Sequence, residues 1–588
     1  MRFGATISLA VLAATACALG CCPDNFKAEY DYIVVGSGAG GGPVAARLAE
    51  TGFKVLVVDV GHDVHNYNAT IPNYLGRVIE DPQLELGYTL NEYPENFTYT
   101  KDNVWYPRAR GLGGSTVHNA VVNVVGNLRR DFANFEKMFG SSWSLDDVWE
   151  YFKLIERNLY IPNSTEHGYN GWLATKGLDE AILARFPDPM LTNITTGLLS
   201  SATPLIPDIN SFSNNDATGV ALNPNTIDEH NVRSSVYNRL KQVHVAHPDR
   251  LHFAFDTLAT KVVLCQGEDD TQPKAIAVEV ARNVGLPVQS NFHRKKHLKT
   301  EKIYAKKEVI VSAGVFQTAQ LLILSGIGDE KELAKFGIDT VVHAPGVDKI
   351  CKNNYTLLNG CTYGSDPATD PCLADYISTH ENVYGMGIIN LHMSLEDPEI
   401  DIYWGLTYFP GFRRGVGDLI ARTHNGLSAI ALRACPSSRG TVSLTGSHPQ
   451  DELRMFKNRF QGEGGKTDVA ALRDAVKRAR SVVEGSPHIA PFVEMEVFPG
   501  VNYTSDDDVE RHVYEHVFGH HACCTAKMGT DDDEYAVLDG DFRVRGVSSL
   551  RVVDLSAWPN VPGWFPTTPM YMLAEKAAAM ITADAGVV

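Results

Sequence analysis

Three glycines near the start of the chain have the spacing of a phosphate-binding loop, Gly36-x-Gly38-x-x-Gly41. Gly36 permits a sharp turn, Gly38 lets the backbone approach a pyrophosphate, and Gly41 lets a helix pack closely on a strand. Asp59 lies where an acid would accept hydrogen bonds from the adenosine ribose hydroxyls. These residue types at this spacing predict that the chain binds a dinucleotide.

The residues around these glycines have the pattern of a strand, a tight turn, a helix and a second strand. The runs Ile33 to Val35 and Val55 to Val58 are apolar, and Pro43 suits the first turn of the helix between them. The unpaired N–H groups at the start of this helix would hold the anionic pyrophosphate. A glycine-rich turn that binds nothing is the alternative, but the complete unit favours the dinucleotide.

Three histidines near the C-terminus, His512, His516 and His520, recur every four residues. On one helix they would share a face, and such a face can bind a metal ion. Gly519 interrupts the helical pattern before the last of them. We therefore expect no metal site here.

The composition is that of a globular protein with more than one core. The chain has 588 residues, of which 44% are hydrophobic and 21% are charged, so we expect two closely joined domains. The net charge of −18 argues against nucleic acid or an anionic membrane as partner. Beyond the N-terminal segment, no apolar run is long enough to span a membrane.

The first 20 residues have the pattern of a secretory signal peptide. Arg2 precedes an apolar segment from Ile7 to Leu19, and a cleavage site follows before Cys21. An uncleaved anchor is the alternative. Removal of residues 1–20 would leave a mature protein that is extracellular or in the lumen of the secretory pathway. Six Asn-x-Ser/Thr sequons fit a secreted glycoprotein, and they begin at Asn68, Asn96, Asn163, Asn193, Asn354 and Asn502.

Ten cysteines are present. Cys351, Cys361 and Cys372 cluster and could supply a disulfide in an oxidising compartment. Cys523 and Cys524 are adjacent, and no CxxC pair suggests zinc. The pairing itself cannot be read from the sequence.

A second glycine-rich stretch is Trp105-Tyr-Pro-Arg-Ala-Arg-Gly-Leu-Gly-Gly-Ser-Thr-Val-His-Asn-Ala120. Its glycines allow a backbone to lie flat against a planar or anionic ligand. The stretch resembles the first signature of the glucose–methanol–choline (GMC) flavoprotein oxidoreductases, in which Gly-Gly-Ser and a following Asn lie against the flavin. By that match, the residues that would border FAD are Gly113, Gly114, Ser115 and Asn119.

Later segments resemble the same family in the family's order. Residues 308–328 resemble its second signature and depart from it at Ala319, where Pro or Ser is usual. Residues 519–529, Gly-His-His-Ala-Cys-Cys-Thr-Ala-Lys-Met-Gly, resemble its His-x-x-x-Thr-x-x-Met-Gly run. Residues 550–559 and 569–577 resemble its closing strand and helix. The resemblance therefore covers both ends and the middle of the chain.

This resemblance implies an α/β fold, in which a Rossmann-type FAD-binding domain carries an antiparallel-sheet substrate cap domain. The FAD-binding domain would comprise residues 27–160, 230–345 and 512–588. The substrate-binding domain would comprise residues 160–229 and 346–511.

The resemblance also implies roles for four side chains. His521 aligns with the active-site His closest to flavin N5 and the substrate hydroxyl, and His520 would orient it or pack beside it. A neutral imidazole can take a hydroxyl proton at ordinary pH, although a His521 bonded only to backbone is the alternative. Asp554 aligns with an acid near the ribityl and pyrophosphate groups. In some members a His at the position of His118 bonds covalently to the flavin, and in others it does not, so both arrangements stay open.

One position departs from the family pattern. Phe565 stands where a second His or Asn is usual, 44 residues after His521, and its side chain has no donor or acceptor. In one outcome His520 or another side chain compensates, and the substrate is an activated alcohol that stacks on Phe565 and Trp564. In the other outcome hydride transfer has been abandoned.

Together these features predict a FAD-dependent enzyme that oxidises an alcohol-type substrate, aromatic, allylic or ring-bearing, by hydride transfer to flavin with His521 as base. Oxygen or another acceptor would take the electrons, and no nucleic acid or membrane partner is expected. The alternative is a lyase or cyclase of the same family that uses FAD without net redox chemistry. A more distant alternative is an inactive secreted binding protein.

Overall fold

The structure is a computed structural model. It describes residues 22, 26–125, 128–177, 196–197, 205–215, 217–267, 270–284, 297–347, 349–351, 391–394, 400–405, 414–418, 428–434, 436–496 and 498–587. The predicted signal peptide, the sequons at Asn193 and Asn354, and the cysteines Cys361 and Cys372 lie outside these residues.

The described elements are as follows, in chain order. The strands are β1 (Tyr30–Val35), β2 (Val55–Val58), β3 (Tyr88–Leu90), β4 (Val104–Tyr106), β5 (Glu156–Asn158), β6 (Leu173–Thr175), β7 (Val220–Leu222), β8 (Leu251–Ala254), β9 (Thr257–Cys265), β10 (Lys274–Arg282), β11 (Thr300–Val311), β12 (Ile327–Gly328), β13 (Val342–His343), β14 (Lys349–Cys351), β15 (Leu391–Ser394), β16 (Ile400–Gly405), β17 (Ser428–Arg433), β18 (Arg439–Ser443), β19 (Arg454–Phe456) and β20 (Leu550–Val552). The α-helices are α1 (Gly41–Glu50), α2 (Tyr67–Thr70), α3 (Leu75–Val78), α4 (Arg129–Phe139), α5 (Leu145–Ile155), α6 (Val236–Ala246), α7 (Val315–Leu324), α8 (Glu330–Lys335), α9 (Gly462–Gly485), α10 (Asp506–His516) and α11 (Thr567–Asp584).

A seven-stranded sheet carries the nucleotide-binding unit. Its order is β8–β2–β1–β11–β10–β9, and β20 also pairs with β11. The pairs β1–β2, β1–β11, β2–β8 and β11–β20 are parallel. Ile33–Val35 and Val55–Val58 are buried, which explains their continuous apolar sequence, because helices cover both faces of a parallel sheet. Strands from 27–160, 230–345 and 512–588 therefore share one sheet.

The turn between β1 and α1 depends on its glycines. Gly36 has a φ of 102°, in the left-handed region that favours glycine. A Cβ atom on Gly41 would overlap the carbonyl oxygen of Gly36, so α1 can begin against the strand only because this residue has no side chain. This strand, turn and helix confirm the Rossmann-type arrangement that the sequence predicts.

A second sheet is antiparallel, with the order β17–β16–β15–β7. A three-stranded antiparallel sheet, β14–β18–β19, lies in the same part of the sequence. A buried ion pair between Arg433 Nε and Asp468 Oδ1, 3.0 Å apart, joins the end of β17 to α9. The predicted fold class, a Rossmann-type domain with an antiparallel-sheet domain, is therefore confirmed.

Helix α10 carries His512 and His516, whose ring centroids lie 4.7 Å apart. The helix ends at His516, so His520 lies outside the face that the four-residue spacing would form. Within the described ranges there is no cluster of three or more potential metal ligands. None of the helices described there combines the length and the apolar character needed to cross a membrane.

Candidate active site

The two glycine-rich segments meet in the structure. A Cβ atom on Gly114 would lie 3.0 Å from the Cα atom of Gly38. Ser37 links the segments, because its hydroxyl accepts from the Gly113 N–H at 3.2 Å and donates to Asp59 Oδ2 at 2.6 Å. The first loop, the second loop and the end of β2 thus form one surface.

Asp59 holds these loops together. Its Oδ2 atom accepts from the Ser37 N–H at 3.0 Å, and its Oδ1 atom accepts from the N–H groups of Gly61 at 3.0 Å and Gly111 at 2.9 Å. The sequence suggested ribose hydroxyls as the partners of this acid. The structure adds a role that the sequence did not indicate, which is to fix the second glycine-rich segment against the first.

The glycines of the first loop fit a dinucleotide. Cβ atoms on Gly36, Gly40 and Gly41 would all overlap neighbouring backbone atoms, whereas a Cβ atom on Gly38 would meet nothing within 4 Å. Gly38 is therefore the glycine that faces open space, beside the start of α1 where unpaired N–H groups favour an anion. The pyrophosphate of FAD suits this position, as the motif predicts.

Asp554 lies on the other side of the same loop. Its Cα atom would be 2.9 Å from a Cβ atom on Gly40. Its Oδ2 atom accepts from the Gly314 N–H at 2.8 Å and the Thr318 hydroxyl at 2.7 Å, and its Oδ1 atom accepts from the Ser556 N–H at 2.7 Å. Burial raises the pKa of Asp554, although these hydrogen bonds oppose the shift. The acid thus ties β20 to the start of α7.

His521 and Phe565 face each other across the proposed reaction site. Their ring centroids are 5.9 Å apart, and the planes cross at 69°. Burial lowers the pKa of His521 to about 3, and the charge of Arg108 adds to the effect. The Nδ1 atom of His521 is buried without a hydrogen-bond partner among the described residues, so this ring has hydrogen-bonding capacity that the described protein does not use.

Trp564 has little surface left for a substrate. It is 2% exposed and shares a buried apolar cluster with Phe565, Val124 and Leu432. The sequence placed both aromatic rings in the substrate pocket. In the structure Phe565 faces His521, while Trp564 packs in the interior.

The His520 side chain packs on an aromatic ring and does not lie on the face of a helix. Its ring stacks on Tyr106 with centroids 5.1 Å apart. Burial lowers the pKa of His520 well below its usual value, and the charges of Lys457 and Arg108 lower it further. His520 is therefore an uncharged ring that packs on Tyr106 beside His521 in the chain.

His118 and Asn119 follow the second glycine-rich turn. Burial lowers the pKa of His118 to about 3, with Arg108 and Arg233 adding to the shift. The Asn119 Oδ1 atom accepts from Arg233 Nη1 at 2.6 Å and from the Val121 N–H at 3.1 Å. Arg233 therefore fixes the orientation of the Asn119 amide, so that its NH2 group is the part left for a ligand.

Ser115 also lies in this turn, which includes a 3-10 helix over Gly114–Val117. Its hydroxyl accepts from the Ala109 N–H at 3.2 Å. This hydrogen bond joins two parts of the second glycine-rich segment, at Ala109 and at Ser115.

Two disulfides join described cysteines. Cys22 pairs with Cys265, which is 243 residues away, and Cys523 pairs with its neighbour Cys524. The sequence drew attention to Cys523 and Cys524 because they are adjacent, but nothing in it indicated the partner of Cys22.

Comparison with known proteins gives matches along nearly the whole chain. Two family models match, GMC oxidoreductase (N-terminal) over residues 209–353 and GMC oxidoreductase (C-terminal) over residues 436–574. A glucose dehydrogenase [FAD, quinone] of Drosophila pseudoobscura pseudoobscura is 28% identical over 94% of this chain and 87% of its own length. An oxygen-dependent choline dehydrogenase of Vibrio vulnificus (strain YJ016) is 28% identical over 94% of both chains.

A solved structure has the same fold. A formate oxidase of Aspergillus oryzae RIB40 superposes with a TM-score of 0.78 at 21% identity, covering 95% of this chain and 99% of its own. Because the two family models match in chain order and the relatives align over nearly the full length, this chain belongs to the GMC oxidoreductase family.

Proposed function

We propose that this protein oxidises an alcohol-type small molecule with FAD as the electron acceptor, and that His521 takes the hydroxyl proton. The observation that carries the proposal is the position of His521, a buried imidazole whose Nδ1 atom has no hydrogen-bond partner among the described residues and whose ring faces the aromatic ring of Phe565. Bound FAD would supply the acceptor for the hydride that leaves the carbinol carbon.

The environment of His521 keeps the imidazole uncharged before the reaction. Since burial lowers the pKa of His521 to about 3, the imidazole is uncharged throughout the physiological range and can accept a proton. Burial also penalises the imidazolium that forms. The negative oxygen that develops on the substrate would offset the cost of burying the charged imidazolium. Proton transfer to His521 is therefore favourable only when a substrate hydroxyl lies beside it.

The wall opposite His521 favours an activated alcohol. Phe565 offers no hydrogen bond to the substrate oxygen, and it belongs to an apolar cluster with Val122 and Ile209. A benzylic, allylic or ring-bearing alcohol has an apolar part that can pack on this ring. Its carbinol carbon also releases hydride more readily than that of a simple aliphatic alcohol.

The acceptor for the second half-reaction is oxygen or another electron acceptor. By their names, one of the two curated relatives uses a quinone and the other depends on oxygen. Stopped-flow reoxidation of the reduced protein with air and with a quinone would separate the two.

Anaerobic mixing with a panel of alcohols tests the proposal. Benzyl alcohol, an allylic alcohol, choline and glucose are added to the yellow holoenzyme, and loss of the visible flavin absorbance is followed. Reduction by at least one alcohol, absent in His521→Ala with the same flavin content, supports the proposal. A wild-type flavin that no alcohol reduces, in a protein that still converts a substrate, would identify a lyase or cyclase.

Acid precipitation of the same holoenzyme decides how FAD is held at His118. Flavin that stays in the wild-type pellet but enters the supernatant in His118→Ala shows a covalent bond. Flavin released entirely from the wild type shows a non-covalent cofactor. The buried, uncharged His118 imidazole has the nucleophilic form that a bond to the 8α-methyl carbon requires.

We also propose that the protein is secreted and N-glycosylated. The Cys22–Cys265 disulfide supports an oxidising compartment, and Asn96, Asn163 and Asn502 are exposed sequons. The Asn68 amide, in contrast, donates to Asp81 Oδ2 at 3.0 Å.

Glycosidase treatment of protein from a glycosylating host should increase its electrophoretic mobility. Recovery of residues 1–20 in the mature chain would contradict the signal peptide.

A further inference from the structure

Three cationic side chains hold the backbone that leads into His521. Lys101 Nζ donates to the carbonyl oxygen of Val517 at 3.0 Å, and Lys457 Nζ donates to that of Gly519 at 2.9 Å. The guanidinium of Arg108 donates to the carbonyl oxygen of His520. We call Lys101, Arg108 and Lys457 the cationic cradle.

Tyr106 completes the cradle on the other side of His521. Its hydroxyl accepts from the Ala522 N–H at 3.0 Å and from Arg108 Nη2 at 3.0 Å. The Arg108 guanidinium lies 4.5 Å from the centre of the Tyr106 ring, and Lys457 Nζ lies 5.1 Å from it. The peptide groups on both sides of His521 are therefore bonded to connected side chains.

The cradle and its surroundings carry more positive than negative charge. Glu92 forms a buried ion pair with Lys457, 2.7 Å between Nζ and Oε1, and a second with Arg459. Burial lowers the pKa of Lys101, and it lowers that of Lys457 to about 7, although Glu92 opposes both shifts. Within the described residues, Arg108 has no carboxylate partner at ion-pair distance.

The charge of Arg108 acts on every histidine of the site. It lowers the pKa of His118, of His520 and of His521, after burial in each case. Lys457 acts in the same direction on His520. For His521, Arg108 is the charged neighbour that adds to burial.

We propose that the cationic cradle positions His520 and His521 by holding their backbone, and that the charge of Arg108, which donates to the carbonyl oxygen of His520, adds to burial in disfavouring the protonated form of His521. Arg108 would also favour the negative oxygen that develops beside His521, the stabilisation that Phe565 cannot provide. This inference rests on the proposed function, because it assigns positioning residues to that same site.

The first test uses Arg108→Met, which keeps length and removes the charge. The limiting rate constant of flavin reduction should fall at least about 10-fold, as for loss of a positioning contact, with little change in substrate Kd. Arg108→Lys should recover part of the rate. Arg414→Met is the matched control, since Arg414 also lies over an aromatic ring of this segment, 4.6 Å from Trp105, but its guanidinium bonds the Glu85 carboxylate and not the backbone of residues 517–522.

A second measurement needs no substrate. Carbon-13 NMR of histidine-labelled, oxidised holoenzyme follows the protonation of His521 as the pH is lowered. In Arg108→Met its titration should begin at a higher pH than in the wild type, because the variant removes a positive charge that disfavours the imidazolium. Lys457→Met should move the titration of His520 and leave that of His521 nearly unchanged.

These results separate the possible failures. A slower Arg108→Met with an unmoved His521 titration would overturn the electrostatic role, and an unchanged rate would overturn the positioning role. If no alcohol reduces the wild-type flavin, the proposed oxidation fails while the titration still decides the charge effect. Should Arg108→Met not fold, Lys101→Met provides the test, because it removes one carbonyl contact and should slow reduction without moving either titration.

Discussion

The ring of Phe565 stands edge-on to His521, with 5.9 Å between centroids and 69° between planes. By the family pattern, a second hydrogen-bonding side chain would stand at the position of this hydrocarbon ring. In the proposed function, His521 is the proton acceptor and Phe565 is an apolar wall that would limit which alcohols can be oxidised.

We expect Phe565→Asn to keep or raise activity on simple alcohols. The new amide could bond the developing alkoxide, a contact that is worth about 2.7–4 kcal/mol in oxyanion-type sites. Phe565→Leu is the control, since it removes the ring without adding a donor and should lower activity on aromatic alcohols only. Rates of anaerobic flavin reduction would measure both. A Phe565→Asn enzyme that loses activity on every alcohol would contradict this account.

Replacing Gly38 by Leu should abolish FAD binding and leave the fold intact. A Cβ atom at Gly38 meets no protein atom within 4 Å, so the backbone there tolerates a side chain, which would extend into the space that suits the pyrophosphate. Gly485→Leu is the matched control, because a Cβ atom there also meets nothing within 4 Å and the position is far along the chain from the loop. Flavin content after purification is the measurement, and full flavin in Gly38→Leu would argue against the whole site.

The sequence was sufficient for features that depend on local pattern. The spacing of Gly36, Gly38 and Gly41 predicted the turn at the start of α1, and the apolar runs predicted two central strands of the sheet. The resemblance to a known family predicted the fold class. These features are readable because each is built from residues close together in the chain.

The cationic cradle could not be predicted in the same way. Lys101 and Arg108 reach carbonyl groups more than 400 residues away, with separations of 416 and 412 residues. The sequence around a lysine or an arginine does not indicate which distant carbonyl group it will bond. The Cys22–Cys265 disulfide and the Arg233–Asn119 contact were missed for the same reason, because only the fold brings their partners together.

A buried histidine makes the stability depend on pH. His167 is bonded through Nδ1 to Glu156 at 2.8 Å and through Nε2 to Asp208 at 2.7 Å. Burial alone would lower the pKa of His167, but the two carboxylates raise it to about 9. Because the folded pKa exceeds the unfolded value, the stabilisation is complete below about pH 6.5 and is lost as the pH rises through about 9.

We therefore expect His167→Gln to lower the Tm much more at pH 6 than at pH 9.5. The pKa shift corresponds to on the order of 3 kcal/mol, and the gap from the wild type should narrow as the pH rises. Thermal unfolding across this range would measure it. His230→Gln, at an exposed position, should show no such trend. A gap that stays constant with pH would mean that His167 is uncharged in the folded protein.

Asn119→Asp should have opposite effects on the protein and on its cofactor. Arg233 donates to the carbonyl oxygens of Ala69 and Asn119 and to the Asn119 amide oxygen, and burial lowers the pKa of Arg233 to about 9. An aspartate would give this buried guanidinium a carboxylate, which relieves an uncompensated charge. The Tm of the FAD-free protein should therefore rise.

FAD affinity in Asn119→Asp should fall, because the NH2 group that Arg233 leaves free for the flavin becomes an anionic oxygen without a proton to donate. Asn119→Ala serves as the comparison, since it removes the acceptor for Arg233 and the donor for the flavin together, and should lower both Tm and affinity. Thermal unfolding and FAD titration give the two quantities separately. A lower Tm in Asn119→Asp would show that Arg233 does not need a negative charge. An unchanged affinity would show that the Asn119 amide does not donate to the flavin.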